Sequence, residues 1–235
     1  MSSSGILYLV PVLLGDVPVH DVLAEKTCRV AAGIKCFIAE NAKSARGFLK
    51  HLPSDYPLQE IEILEIDKHS KVIDFDFYFE RLRAGVDTGV VSEAGMPGIA
   101  DPGSAFVMQA HREGIKVIPL TGPSSIFLAL AGSGMNGQGF IFHGYLPKEK
   151  EERHAKIKQL EKQAERFRQT QIFIETPYRN QPLLNDLLSL CNPSTMLCIA
   201  ADITLPGEFI KTMPVSAWKK YNVDLNKKPA VFLLL

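Results

Sequence analysis

The residues best placed to do chemistry lie in VVSEAGMPGIADPGSAF, Val90–Phe106. A β-branched run ends there in Ser92 and Glu93, and Gly95, Pro97, Gly98, Pro102 and Gly103 follow in quick succession. Glycine lets backbone approach a ligand closely, and proline fixes the shape of the chain. At the C-terminal end of a parallel strand, such a loop is where an α/β sheet binds its ligands. An ordinary wide turn rarely needs so many constrained positions. The same pattern recurs in PLTGPSSIF, Pro119–Phe127, where an expected strand runs into a Gly-Pro turn at a helix start. Ser124 and Ser125 offer hydroxyls and free backbone N–H groups there. In FIETPYRN, Phe173–Asn180, Glu175 closes another expected strand. Tyr178 then offers a flat face and Arg179 a planar fork for an anion or a base, with a surface ion pair as the plain alternative for Arg179.

Several other chemistries find no support. Gly132, Gly134 and Gly137 spell GxGxxG, but they follow an expected helix and precede a strand. A dinucleotide fingerprint needs the reverse order, so these glycines read as a helix C-cap and a loop. The first strand ends in PVLLGD, with a single glycine where a Rossmann fingerprint would stand. No GxxxxGK[ST] and no GxSxG occurs. The histidines, His20, His51, His69, His111, His143 and His154, show neither HxxxH nor HExxH spacing, and no metal site is expected. His143 reads as a hydrogen-bonded structural residue, with a cleft-lining role as the alternative. Cys28, Cys36, Cys191 and Cys198 lack CxxC spacing and read as buried reduced thiols.

These loops have to be held by short apolar strands alternating with longer helical patterns. Strands are expected over 6–13, 36–39, 61–66, 88–92 and 115–119. Helices are expected over 72–84 and 104–113, with Ser104 as N-cap and Gly114 as the stop. The dense punctuation at Thr121–Pro123 marks a boundary between an N-terminal α/β domain, 1–121, and a C-terminal α/β domain, 122–235. Pro123 suits the first turn of a helix reaching Ala131. Strands follow over 140–145, 171–175, 196–201 and 231–235, with 208–212 as a hairpin partner and a helix over 181–190. The alternation argues for α/β architecture with a mainly parallel sheet. A helix over 150–168 would place Ile157, Leu160, Ala164 and Phe167 on one stripe. Its window Lys148–Arg168 carries eight Lys/Arg against five Asp/Glu, read as a solvated face or as a local basic surface for an anionic partner.

The chain has 235 residues, 46% of them hydrophobic and 22% charged, with Lys+Arg 26 against Asp+Glu 26. Zero net charge argues against gripping nucleic acid over a broad surface, while leaving room for a local basic patch. No apolar run approaches the roughly 18 residues of a membrane span. The start, MSSSGILYLVPVLLGD, has no basic n-region and reads as a first strand. A cytoplasmic protein is the expectation.

Taken in order, LYLVPVLLGD, FIAENAKSAR, VSEAGMPGIADPG, VIPLTGPSSI, FHGYLP, FIETPYR, ADITLPGEF and KPAVFLLL resemble the tetrapyrrole methylase family across nearly the whole chain. Within it they look most like the ribosomal RNA small subunit methyltransferase I branch. The resemblance implies two α/β domains of the non-Rossmann methyltransferase fold, S-adenosylmethionine held in the cleft between them largely by backbone groups, and a homodimer. It implies cofactor contacts at Pro11, Glu93, Ala94, Gly95, Ile99, Ser124 and Ser125, and at Glu175, Ile203 and Ala230. It implies methyl transfer to a cytidine ribose 2′-oxygen of 16S rRNA, or to another acceptor in a divergent paralogue. A tetrapyrrole methyltransferase and a non-catalytic cofactor-binding module stay open as alternatives. The first loop here is shorter than the branch's and lacks its Gly-Asn. Glu40 is followed by Asn41, Ala42 and Lys43 where the branch has Asp-Thr-Arg, and Glu93 replaces an aspartate. A ribose hydroxyl would benefit from a base. Glu40, Glu175 and Glu208 are equally placed by sequence, so no catalytic residue is assigned.

Overall fold

A computed structural model describes residues 4–52, 56–66, 72–101 and 103–235, so Pro102 and His69 lie outside the described residues. The chain divides into two compact units, Met1–Ser124 and Ser125–Leu235, against the expected division after 121.

The first unit is a doubly wound sheet. Its strands are β1 (Leu7–Leu9), β2 (Cys36–Ala39), β3 (Glu62–Glu65), β4 (Thr88–Val91) and β5 (Val117–Pro119). They lie in the order β3-β2-β4-β1-β5, all parallel. One face is covered by α1 (Val19–Val22), α2 (Glu25–Ala32) and α3 (Ala42–Leu49), whose Val19, Cys28, Ala31, Ala45, Phe48 and Leu49 pack with Val10, Phe37 and Val91. The other is covered by α4 (Phe75–Arg83) and α5 (Gly103–Arg112), through Tyr78, Phe79, Leu82, Phe106 and Ala110. Strands buried on both faces read as continuous apolar runs, which is why CFIA and TGVV are so uniform. Ser104 is the second residue of α5, not its N-cap. Gly114 does stop α5, at φ +66, a conformation glycine adopts without Cβ strain.

The second unit has β6 (Phe140–Tyr145), β7 (Thr170–Glu175), β8 (Met196–Ala201), β9 (Phe209–Pro214) and β10 (Ala230–Leu234), in the order β6-β7-β10-β8-β9. Only β6 and β7 run parallel; β10 is antiparallel to both neighbours and β9 to β8. The expectation of a mainly parallel sheet is therefore corrected for this unit. α7 (Lys150–Phe167), α8 (Asn180–Leu190) and α9 (Val215–Trp218) bury Ile157, Leu160, Leu183, Leu184, Leu187 and Trp218 against Phe173 and Phe232. α6 (Ser125–Ser133) lies along β8, β9 and β10. It ends at Gly134, φ +69, so the GxGxxG glycines are a helix end and a loop. Phe167 does not join the buried stripe of α7. It is 55% exposed, because Arg168 at φ +50 turns the chain away at the helix end. Among the described residues, no helix is long and apolar enough to cross a membrane.

Candidate functional site

In the first unit, the connections leaving β1 and β4 run to opposite faces of the sheet, although these strands are neighbours. This is a topological switch point, where open α/β sheets leave a crevice beyond the strand ends. Of the sequence-predicted residues, Pro11 and Gly95 lie at it. Pro11 and Val12 follow β1, and the Val12 N–H donates to the Gly95 carbonyl at 2.9 Å, closing an isolated bridge between the two loops. Gly95 has φ +72, and a Cβ there would sit 3.1 Å from Leu14 Cδ2 and 3.4 Å from the Pro123 carbonyl oxygen. Gly122 is tighter still, since a Cβ would lie 2.2 Å from Pro11 Cγ and 2.3 Å from Pro11 Cβ. The Ser92 hydroxyl donates to the carbonyls of Ala94 and Gly95 at 3.3 and 3.4 Å, holding the start of the loop. The Thr27 hydroxyl donates to the Thr121 carbonyl at 2.7 Å and anchors the third loop to α2. Glu93 and Ala94 are exposed and Ile99 is half-buried. Ser124 is buried immediately before α6, and Ser125 opens that helix in the second unit.

A cavity of about 260 Å³ adjoins this crossing. It is lined by the loop from Val12 to Asp16, by Ser44, Gly47, Phe48 and His51 of α3 and its end, and by Ser92 and Glu93. The Ser44 hydroxyl donates to Glu93 Oε2 at 3.3 Å. α3 is held at its N-terminus by Asn41, whose Oδ1 accepts from the N–H groups of Lys43 and Ser44 at 2.9 and 3.0 Å. Asn is as good an N-cap as Asp, so this helix start tolerates the Glu-Asn-Ala-Lys sequence. Asp16, His51 and Ser44 carried no signal of their own in the sequence. Only their spatial gathering marks them.

Asp101 is a further residue the sequence did not single out. Burial pushes its carboxyl up to about 6, and the charges of Glu40 and Glu93 add to this while a hydrogen bond with Ser92 opposes it. The native state therefore holds this proton more tightly than the unfolded chain does, and stability falls as pH rises from 3.8 to about 6. Asp101→Asn is expected to unfold at higher urea than wild type at pH 7.5, by on the order of 1 kcal/mol after allowing for partial solvent screening. The gap should narrow toward pH 4.5; an unchanged gap would contradict the assignment.

In the second unit, Glu175, Ile203 and Ala230 gather at one end of the sheet. Ala230 is in register with Glu175 on one side and Ala201 on the other, and Ile203 follows just beyond β8. The Glu175 side chain is 1% exposed. Its Oε1 accepts from Arg179 Nη2 at 2.5 Å and from the Thr176 N–H at 2.6 Å. The planar fork of Arg179 is thus committed to an ion pair, while Tyr178 is 74% exposed. His143 Nε2 lies 2.7 Å from Gln171 Oε1, and burial holds its pKa below the ordinary value. That is the structural role rather than a cleft-lining one. All four cysteines are buried and free. Burial raises Cys36 to about 11 and Cys191 to about 12, so these thiols are poor nucleophiles. Among the described residues no group of three or more His, Cys, Asp or Glu could hold a metal.

A family model for tetrapyrrole (corrin/porphyrin) methylases matches residues 7–218. The chain belongs to the tetrapyrrole methylase family. Within it the chain groups with proteins named ribosomal RNA small subunit methyltransferase I. One from Streptococcus pyogenes is 31% identical over 236 residues, 99% of this chain and 77% of that protein. One from Buchnera aphidicola is 28% identical over 238 residues, 100% of this chain and 79% of that protein. Among solved structures, the methyltransferase CobJ matches with a TM-score of 0.62 at 20% identity, covering 98% of this chain and 94% of that one. Cobalt precorrin-4 methyltransferase CbiF matches with a TM-score of 0.60 at 16% identity, covering 97% and 93%. These likenesses show the two-domain tetrapyrrole methylase fold, and the family makes this chain a methyltransferase.

Proposed function

We propose that this methyltransferase uses S-adenosylmethionine and methylates RNA of the small ribosomal subunit. The observation that carries the reading is the crossing of the β1 and β4 loops, where Val12 donates to Gly95 and Pro11 fills the space that a Gly122 side chain would take. The groups brought to this crossing are mainly backbone amides and carbonyls. They fit a ligand with a sulfonium and a neutral adenine edge, because they recognise it without a fixed countercharge. When bound, the cofactor supplies a methyl group already activated by positive sulfur.

The chain's own work is to bind, align and exclude water, which together contribute several kcal/mol in enzymes generally. We assign cofactor contacts to Pro11, Glu93, Ala94, Gly95, Ile99, Ser124, Ser125, Glu175, Ile203 and Ala230. A hydroxyl acceptor also needs a base for its proton. Glu93 lines the cavity, and its Oε2 already accepts a hydroxyl hydrogen bond from Ser44. Asp16 and Glu93 are the carboxylates among the cavity's lining residues, and we assign the proton to Glu93 because it already holds a hydroxyl there. The names of the relatives support ribosomal RNA as acceptor. We also propose a cytoplasmic homodimer. Phe127, Leu128, Phe140 and Ile141 are exposed on the second unit, with the Phe127 and Phe140 rings 6.1 Å apart, and such a patch is commonly covered by a partner.

The test is calorimetric titration with S-adenosylmethionine, followed by transfer of labelled methyl from it into purified small ribosomal subunits. Saturable binding and label in the RNA are expected. Binding without label in any RNA fraction would move the acceptor elsewhere, and no binding up to the millimolar range would sink the cofactor assignment.

A further inference from the structure

α7 carries a cationic stripe that the site above does not use. Lys158, Lys162 and Arg166 are spaced four residues apart and so share one helical face. Ile157, Leu160 and Ala164 are buried and define the opposite face. Lys158, Lys162, Arg166 and the following Arg168 are all exposed, and among the described residues none of the four enters an ion pair. Neighbouring acids do not neutralise them. Over 156–168 the sequence sets Lys156, Lys158, Lys162, Arg166 and Arg168 against Glu161 and Glu165. Glu161 Oε1 is occupied by the Asn192 N–H at 2.7 Å and the Thr195 hydroxyl at 2.5 Å.

Two plain explanations fall short. The helix dipole favours cations only within the last turn, which accounts for Arg166 but not for Lys158 or Lys162. A merely solvated face balances both signs along its length, whereas here Glu149, Glu151 and Glu152 accompany Lys150 and Arg153 at the start of the helix, and five cations from Lys156 to Arg168 stand against Glu161 and Glu165. Beside the stripe stands Phe167, 55% exposed, with the Arg166 guanidinium 5.1 Å from its ring centroid. The turn that presents Phe167 and Arg168 is pinned. Asn136 Nδ2 donates to the Arg168 carbonyl at 2.7 Å, and the Thr170 hydroxyl donates to the Asn136 carbonyl at 2.9 Å. A fixed turn costs little further ordering on binding.

Cations that follow a line, with an exposed aromatic at its end, match the chemistry of a nucleic-acid strand: phosphates for the cations and a base face for the ring. We infer that the outward face of α7 and the α7–β7 turn form an RNA-holding surface, with Lys158, Lys162, Arg166 and Arg168 on phosphates and Phe167 stacked on an unpaired base. This rests on the RNA reading above and adds where the RNA is gripped.

The experiment is filter binding of the full chain to deproteinised small-subunit ribosomal RNA across a salt series, beside methyl transfer and S-adenosylmethionine titration. The combined Lys158→Glu, Lys162→Glu and Arg166→Glu variant should bind RNA at least about tenfold more weakly at 0.1 M salt, with the slope of log K against log salt flatter by about two. Phe167→Ala should weaken binding by about tenfold with the slope retained. Lys219→Glu with Lys220→Glu should bind as wild type does, and unchanged cofactor affinity in every variant shows that each is folded. An unchanged affinity and slope in the triple reversal would overturn the surface even if wild type methylates RNA. So would a reversal that alters only the sedimentation of the protein, which would give the face to a second copy. RNA binding through α7 without methyl transfer would uphold this surface while sinking the acceptor assignment. Wild type that binds no such RNA would overturn both.

Discussion

Gly122→Ala is expected to weaken S-adenosylmethionine binding by at least about a hundredfold, equivalent to roughly 3 kcal/mol. The added methyl would lie 2.2 Å from Pro11 Cγ and 2.3 Å from Pro11 Cβ, with Leu23 Cδ2 at 3.2 Å on another side. Pro11 cannot swing away by changing rotamer, because its ring is closed on the backbone. One of the two loops must therefore shift. The first is tied by the Val12–Gly95 hydrogen bond at 2.9 Å and the third by Thr27–Thr121 at 2.7 Å, so the shift breaks one of the contacts that hold the crossing. Gly33→Ala is the matching control. Its Cβ would meet Val30 O at 3.6 Å, an ordinary contact, at the end of α2 and away from the crossing. Titration calorimetry on both variants, with circular dichroism to show that each is folded, checks the result. A Gly122→Ala protein that binds as wild type does would remove the loop crossing from the cofactor site.

What was legible beforehand follows from how local each signal is. CFIA and FIFHGY give strands with the expected bounds because their apolar runs are bracketed by turn residues. The expected strand over 6–13 shortens to Leu7–Leu9 because the chain then leaves the ladder. Val10 still donates to Val90 at 2.9 Å, but Pro11 has no N–H to give. The antiparallel pairing of β10 was not legible. AVFLL is buried throughout, and a uniformly apolar strand looks the same in either direction. Phe167 fits the apolar period of α7, yet the left-handed Arg168 ends the helix before the ring can turn inward. In the candidate site, the Gly/Pro loops announced themselves through composition. The Pro11–Gly122 contact, the gathering of Asp16, Ser44 and His51, and the raised Asp101 carboxyl all depend on segments far apart in sequence meeting at one sheet edge.

Phe232→Ala should lower the stability of the protein by about 3–5 kcal/mol, seen as a lower midpoint in urea. Phe232 is 0% exposed and stacks on Phe173, with ring centroids 6.0 Å apart and planes 6° from parallel. It sits at the middle of β10, the strand that pairs with β7 on one side and β8 on the other. Truncation opens a cavity in the cluster that Phe232 shares with Phe173, Ile157, Leu160 and Leu187, and a sheet ladder cannot close around it without breaking register. The same strand begins at Ala230, one of the proposed cofactor contacts, in register with Glu175 and Ala201. This makes the variant informative about function as well. S-adenosylhomocysteine at about a hundred times its dissociation constant should stabilise the native protein by ~2.7 kcal/mol. An equal gain in wild type and variant would mean that the start of β10 keeps its place when its middle is hollowed. A gain in wild type alone would mean that the backbone around Ala230 moves with the core, so that packing at Phe232 holds the binding edge in position. No loss of stability on truncation would contradict the central place given to β10 in the second unit.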